Sequence, residues 1–449
     1  MTAPVTPAAP VTRAVSGAAR RGVVGWVLYD LANTIFSLNI LSLYFALWVV
    51  DDMGGRDGDY LLTNSFSMAI IFLSAPFLGA LSDQVPRRMP FLVVSTVVCC
   101  VFTALLGLGG LAVSLVLFVV ANVAFQAGLI FYDALLPSVS DEANRGRIGG
   151  IGVGVGYAGS LVGLGIGLVS LELLDGTKPA VFRLTALAFF LFALPCFAFV
   201  RERRRPVERG FGRETFVTAW EELRGTASRV RRYRGLPRFL VGRIFYADAA
   251  NTLIATLGIY ATREIGFSDA EVQAVLLAGI IGAIPGGILW GRAVDRIGPK
   301  RTLSYVLWLW AVVMGATAAI AYLDLPKAAF WPVAPLVGIA LGGTWAADRP
   351  FMLRLSPPRY LGQFYGLYAM VGRFAAIIGP LLWTLIVDGL GLGRPAAVLS
   401  LLGLVVIAWF IIRPVDDRPH DWGPEDRERE TTPANASAGS ALAGELPVS

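Results

Sequence analysis

Two stretches decide how this chain folds: Gly79-Ala80-Leu81-Ser82-Asp83-Gln84-Val85-Pro86-Arg87-Arg88 and Gly291-Arg292-Ala293-Val294-Asp295-Arg296-Ile297-Gly298-Pro299-Lys300-Arg301. Each runs glycine, three residues, aspartate, then a turn that closes on two basic residues. Their aspartates stand 295 − 83 = 212 positions apart. Two further pairs recur at nearly that offset. Tyr29-Asp30-Leu31-Ala32-Asn33-Thr34 returns as Tyr246-Ala247-Asp248-Ala249-Ala250-Asn251-Thr252, at 248 − 30 = 218, and Asp133 returns as Asp348, at 348 − 133 = 215. Three matches, in order and near one spacing, mean two homologous halves in parallel orientation.

The composition says what those halves are made of. Of the 449 residues 55% are hydrophobic and only 16% charged. A soluble globular chain is about 45–50% apolar and about 25% charged. Mean hydropathy is +0.64. An ordinary soluble enzyme, a disordered chain and a nucleic-acid binder are all excluded, the last because the net charge of +6 does not form a folded basic face. A membrane helix needs about 20 mostly apolar residues. Twelve such stretches occur, at 24–50, 60–81, 91–110, 112–136, 149–170, 179–200, 237–262, 269–290, 302–323, 331–352, 362–386 and 395–412. The expected fold class is an all-α membrane protein, with twelve transmembrane helices in two pseudo-symmetric six-helix bundles at 22–200 and 237–413.

Three segments lie outside these bundles. Residues 1–21 read as a disordered cytoplasmic N-terminus. A signal peptide is disfavoured because the following apolar run is too long and carries Asp30. Residues 414–449 are rich in Pro, Ala, Glu and Arg and read as a disordered cytoplasmic tail. The only histidine, His420, is there, which leaves no histidine base for the fold. The linker 201–236 holds eleven arginines, from Arg201 to Arg234. It is either a solvated basic run or, over Thr215–Arg232, an amphipathic surface helix with Phe216, Trp220 and Leu223 on one side.

Loop charge sets the orientation. Arg87, Arg88, Arg145, Arg147, the linker, Arg292, Arg296, Lys300, Arg301, Arg354 and Arg359 fall on one side. Asp51, Asp52, Asp57, Asp59, Glu172, Asp175, Glu264, Asp269 and Glu271 fall on the other. By the positive-inside rule the basic side, with both termini, is cytoplasmic, in a multi-pass protein of the cell membrane.

Twelve spans, a basic central linker and Gly-x-x-x-Asp followed by a basic pair after spans 2 and 8 resemble the major facilitator superfamily, over residues 22–413. Tyr29–Thr34, the repeat in span 7 and Phe131-Tyr132-Asp133-Ala134-Leu135-Leu136-Pro137 resemble its vacuolar amino-acid effluxer-like branch, which has many bacterial members of unassigned substrate. The resemblance implies a rocker-switch secondary transporter whose spans 1, 4, 7 and 10 line a central cavity. Span 5 lacks the Gly-Pro of proton-coupled drug exporters, a departure that counts against that activity.

Charge inside a bilayer costs at least about 2.5–3.5 kcal/mol per residue and usually marks function. The intramembrane set is Asp30, Asp133, Arg243, Asp248, Asp348, Arg349 and Arg373. Spans 3, 6, 9 and 12 have none at their centres and read as lipid-facing all round. At about 1.5 Å per residue, Asp30 lies ~15 Å in from Arg20, and Asp248 about as far from Arg238. Asn33 and Asn251 are one turn further on the same face. The expected substrate- or proton-binding set is Asp30, Asn33, Asp133, Asp248, Asn251, Asp348 and Arg373. The competing use is structural, each aspartate capping a backbone break or pairing with Arg243, Arg349 or Arg373. Arg243, near an end, reads as snorkelling.

The loop motif reads as a conformational latch made of Gly79, Asp83, Arg87, Arg88, Gly291, Asp295, Lys300 and Arg301. Its carboxylates would cap neighbouring helix N-termini and pair with arginine across the half–half interface. Gly152, Gly154, Gly156 and Gly159 in span 5, and Gly279, Gly282 and Gly286 in span 8, read as close helix packing. Gly379-Pro380 marks a kink in span 11.

No phosphate-binding loop is present, and Cys99, Cys100 and Cys196 read as packing residues. The chain is expected to be no enzyme, to use no cofactor or metal, and to work as a monomer in the lipid bilayer on a small-molecule substrate, with no nucleic-acid partner. The expected function is alternating-access transport of a small polar solute, an amino acid first among candidates and proton-coupled through its carboxylates. The alternatives are an exporter of amphipathic drugs or lipids and a non-transporting sensor or scaffold built on the linker.

Overall fold

The computed structural model describes residues 17–174, 176–202, 213–225, 230–374, 378–418, 421–423 and 425–427. Within them the chain is helical, with no strand. The helices are α1 (Gly17–Phe36), α2 (Asp57–Asp83), α3 (Met89–Ala104), α4 (Gly110–Asp133), α5 (Arg145–Leu168), α6 (Lys178–Phe199), α7 (Leu236–Arg263), α8 (Asp269–Ile297), α9 (Pro299–Tyr322), α10 (Val333–Leu355), α11 (Leu361–Phe374) and α12 (Arg394–Ile412). A further segment, Ile378–Thr384, precedes α12. Among the described residues, ten helical stretches are long and apolar enough to cross a membrane. The two other helices have visible reasons for falling short. Met89–Ala104 has 16 residues, and Leu236–Arg263 carries Arg238, Arg243, Asp248 and Arg263.

Large apolar side chains cover the outside: Leu62, Leu73, Val94, Val116, Trp308 and Phe410 are all exposed. A surface of this kind is stable only against hydrocarbon. The protein is a multi-pass membrane protein. The helices expected to face lipid all round bury one side each. On α6, Phe182, Thr185 and Phe189 are buried while Leu184, Leu187 and Leu191 are exposed. On α9, Leu303, Trp310 and Thr317 are buried while Tyr305, Trp308 and Val312 are exposed. Their apolar composition hid this, because packed and lipid-facing apolar residues look alike in sequence.

Helices before the linker pack mainly on one another, α1 on α5 and α6, α4 on α3 and α2. Those after it do the same, α10 on α8 and α9, α12 on α7 and α9. The two sets meet chiefly along two crossings, α5 on α8 and α2 on α11, and more lightly where α5 touches α10 and α11 touches α4. Glycine makes both crossings possible. A Cβ on Gly154 of α5 would lie 2.6 Å from the Ile284 carbonyl oxygen of α8, and one on Gly291 of α8 would lie 2.7 Å from Gly150 Cα. At the other crossing Gly79 meets Gly362 and Gly366 meets Ala75. Beyond Gly154, α5 turns to its own set: Gly156 faces Asp30, Gly159 faces Leu31 and Gly163 faces Asn39. The glycine-mediated contact between the sets is therefore confined to the end that bears the basic loops.

Two terminal expectations need correction. Helix α1 already begins at Gly17, inside the segment expected to be disordered to residue 21; residues 1–16 lie outside the described residues. The chain after α12 also stays on the protein. Val415 is buried, the Asp417 carboxylate accepts the Lys300 backbone N–H at 3.2 Å, and Asp426 accepts the Tyr233 hydroxyl at 2.6 Å. Polar composition suggested disorder, but these carboxylates find backbone and hydroxyl donors at helix ends. His420 and residues 428–449 lie outside the described residues.

Among the described residues of the linker is a helix, Arg213–Arg224, on which Thr215 and Ala219 are buried. Its Phe216 and Trp220 rings lie against Phe77 of α2 with centroids 6.4 Å apart in both pairs. Of the expected amphipathic helix over Thr215–Arg232, the side chain of Leu223 and residues 226–229 lie outside the described residues. Arg203, Arg204, Arg205, Arg209 and Arg229 lie outside the described residues.

Candidate functional site: an interdomain cavity and its latches

Above the crossings the two sets enclose a cavity of about 370 Å³, within the range of about 300–1,000 Å³ usual for small-molecule sites. Asp30 and Asn33 of α1, Ser37 just beyond it, Asp133 of α4, Arg243 and Asn251 of α7, Arg349 of α10 and Arg373 of α11 line it. Aromatic walls come from Phe125, Tyr157, Trp345 and Tyr368.

Its charges are distributed unevenly. Arg349 reaches across from α10 and holds both carboxylates of the opposite set, Nη1 to Asp30 Oδ2 at 3.1 Å and Nε to Asp133 Oδ1 at 3.1 Å. Trp26 Nε1 donates to the Tyr132 carbonyl oxygen at 3.4 Å, the Tyr132 hydroxyl donates to the Trp26 carbonyl oxygen at 3.1 Å, and the two rings stack at 4.7 Å. This ties α1 to α4 beside the carboxylates. One arginine against two carboxylates leaves this side with a formal charge of −1.

Arg373 is the opposite case. Its Nη2 donates to Gln126 Oε1 on α4, and its Nε has no partner among the described residues. A chain of amides orients that glutamine. Gln126 Nε2 donates to Asn122 Oδ1 at 3.3 Å, and Asn122 Nδ2 donates to Asn64 Oδ1 at 3.0 Å and to Ser67 Oγ at 2.7 Å. Gln126 thereby presents oxygen to the guanidinium. A neutral acceptor leaves the arginine charge uncompensated, so the cavity carries a positive pole at Arg373. Gln126 lies seven residues before Asp133 on α4, which separates the poles by about 10 Å.

Two of the expected site residues do not line the cavity. Asp348 is fully buried behind Arg243, whose Nε reaches its Oδ2 at 2.9 Å. The Tyr246 hydroxyl donates to Oδ1 at 2.6 Å and the Tyr368 hydroxyl to Oδ2 at 2.8 Å. A carboxylate so satisfied joins α7, α10 and α11 instead of facing solute. Arg243 is correspondingly buried with its guanidinium 3.6 Å over the Tyr368 ring, so it does not snorkel. Asp248 is buried too, and its Oδ2 accepts the Gly379 N–H. Asn33 and Asn251 do line the cavity.

The motif glycines and aspartates act as one device, made twice. Gly79 lets Gly362 approach, and one turn later Asp83 accepts the N–H groups of Gly362 at 2.9 Å and Gln363 at 2.8 Å, in the first turn of α11. Gly291 lets Gly146 approach, and Asp295 accepts the N–H groups of Gly146 at 2.6 Å and Arg147 at 2.8 Å, in the first turn of α5. Each carboxylate thus caps the positive end of a helix from the other set. The expected arginine partner across the interface is replaced by this backbone pair. Arg88 pairs with Asp83 of its own loop and donates to the Ala134 carbonyl oxygen at 3.3 Å. Arg87 and Arg301 are exposed, and Lys300 meets Asp417 through its backbone. The receiving glycines, Gly146 and Gly362, escaped the sequence reading. Their signal was a glycine one residue into the helix after each opposing loop.

The family model described as vacuole effluxer Atg22 like matches residues 59–418. The chain belongs to that family. It is a major facilitator superfamily transporter of the Atg22-like branch. It is 26% identical over 407 residues to the uncharacterized MFS-type transporter YxiO of Bacillus subtilis (strain 168), covering 86% of this chain and 93% of that one. It is 25% identical over 279 residues to autophagy-related protein 22-1 of Neosartorya fischeri, covering 56% of this chain but only 45% of the fungal one. Among solved structures, the human organic anion transporter MFSD10 superposes with a TM-score of 0.69 at 18% identity, covering 88% of this chain and 99% of that one. The proton:xylose symporter XylE superposes at 0.65 and 12% identity, covering 88% and 94%. At such identities the likeness of this Atg22-like protein to them is one of fold.

Proposed function

We propose that this Atg22-like protein is a secondary active transporter of the cytoplasmic membrane, with twelve crossings and both termini cytoplasmic, that moves a small zwitterionic solute by alternating access. An amino acid is the first candidate and proton coupling the driving force. The single observation that carries the reading is the cavity with one net negative pole at Asp30 and Asp133 and one uncompensated positive pole at Arg373. An ammonium group competes with Arg349 for the carboxylates, and a carboxylate competes with Gln126 for Arg373. The first exchange loosens a contact between the sets, which is how binding would bias two arrangements. On this reading, closed latches at the basic end correspond to the arrangement whose exit is on the opposite, external side.

A thermal-shift panel of amino acids, short peptides, sugars and hydrophobic drugs on purified protein tests this. A bound solute at one hundred times its Kd stabilises by about 2.7 kcal/mol. Zwitterions are expected to stabilise the wild type, and Arg373→Gln to abolish that response while retaining the ligand-free melting temperature within a few degrees. Stabilisation by hydrophobic cations alone would reassign the cavity to amphipathic cargo.

A further inference from the structure

The cavity carboxylates all have arginine partners; Asp248 of α7 has none. Its Oδ2 accepts the Gly379 N–H, while its Oδ1 has no partner among the described residues. One turn on, Thr252 Oγ1 is equally without a partner and is also buried. Both oxygens lie against Gly379, where even a methyl group would collide with Thr252. Two orphan buried oxygens, one from a carboxyl and one from a hydroxyl, therefore border the same glycine.

No cation among the described residues reaches them. On α7 itself Arg243 is committed to Asp348, and the Tyr260 hydroxyl to the Thr317 carbonyl oxygen. On α10, Asp348 is held by Arg243, Tyr246 and Tyr368, and Arg349 by Asp30 and Asp133. On α11, Arg373 goes to Gln126. Helix α12 has no ionisable residue after Arg394, the segment Ile378–Thr384 has none, and α8 has its charges at its two ends. A buried, unpaired carboxylate costs several kcal/mol, and the ordinary remedy is to take up a proton.

We infer that Asp248 is the proton-carrying site of the transport cycle, the proton resting on the unpartnered Oδ1 while the Gly379 N–H holds Oδ2. This rests on the transporter reading above and assigns its coupling step. Two free oxygens are too few for a metal cation, whereas a proton needs one acceptor. Gly379 belongs to the same span as the first turn of α11 that Asp83 caps. Opening the latch draws Gly379 and its N–H away, water enters, and the Oδ1–H bond breaks to leave a carboxylate and a hydrated proton on the newly opened side.

Infrared difference spectroscopy of the detergent-purified full chain tests the assignment without knowledge of the solute. At neutral pH the wild type is expected to show a protonated-carboxyl C=O stretch that Asp248→Asn removes. Thr252→Ala, a milder change, is expected to keep the band and shift it, because a hydroxyl dipole beside the same glycine is lost. A spectrum with no band lost in Asp248→Asn and none shifted in Thr252→Ala overturns the proposal. So does thermal stabilisation by sodium chloride over choline chloride that Asp248→Asn abolishes, since the site would then hold sodium. Solute uptake in proteoliposomes is scored separately. The band without uptake keeps the proton site and sinks the transporter reading, and uptake without the band does the reverse.

Discussion

Replacing Arg349 with alanine is expected to destabilise the protein by about 3–5 kcal/mol and to abolish solute movement. The magnitude follows from what is left behind. Asp30 and Asp133 are both largely buried and share this one guanidinium. Removing one member of a buried ion group strands its partners without counter-charge, and that loss exceeds the net worth of the group itself. The stranded carboxylates also repel each other across the α1–α4 contact. The measurement is the melting temperature of detergent-purified protein beside uptake in proteoliposomes. A triple variant, Asp30→Asn with Asp133→Asn and Arg349→Met, removes all the charges together. It is expected to recover most of the melting temperature and to remain inactive. Recovery of stability with activity would make the cluster purely structural.

Removing both latch carboxylates, Asp83→Ala with Asp295→Ala, is expected to open the basic end. Each carboxylate accepts two backbone N–H groups. Hydrogen bonds to a charged group contribute about 1.5–3 kcal/mol each. Four of them total about 6–12 kcal/mol, and an inversion from 99:1 to 1:99 needs only about 5.5 kcal/mol. Spin labels on cysteines replacing the exposed Glu142 and Arg296, at the facing ends of α5 and α8, read the separation. The short-distance population of the parent is expected to give way to a longer one in the double variant and to a mixture in either single variant. An unchanged distance distribution would show that the glycine crossings alone hold the end closed.

How much of this was legible in the sequence depends on the range of the interaction. The repeated Gly-x-x-x-Asp loops and the apolar spans are local patterns that led to the right superfamily, and the equally local motifs Tyr29–Thr34 and Phe131–Pro137 led to the right branch. Of the expected binding set, Asp30, Asp133 and Arg373, named from the cost of buried charge, and Asn33 and Asn251, named from their one-turn spacing, line the cavity, while Asp248 and Asp348 do not. Which charge meets which was not legible. Arg349 stands next to Asp348 in sequence yet serves Asp30, 319 positions away, while Asp348 takes Arg243. Adjacent residues on a helix point about 100° apart, so sequence neighbours seldom pair. The tyrosines that complete the Asp348 site, Tyr246 and Tyr368, read as apolar bulk until their hydroxyls are placed. Gln126 was invisible for a similar reason: its role depends on the amide chain through Asn122 that turns its oxygen toward Arg373. Asp248 had the same residue type and depth as Asp30, and only tertiary packing separates a cavity wall from a buried position.

The account stands on a water-filled path between the two sets that is open on one side at a time. Ser37 lies on that path, on the far side of Asp30 from the basic end. In a background with Cys99, Cys100 and Cys196 replaced, Ser37→Cys should react with a membrane-impermeant maleimide added outside oriented vesicles and resist it from the cytoplasmic face. Adding Asp83→Ala and Asp295→Ala should reverse that preference. A cysteine at position 37 that is unreactive from both faces, or equally reactive from both whatever the latch residues, would contradict the account.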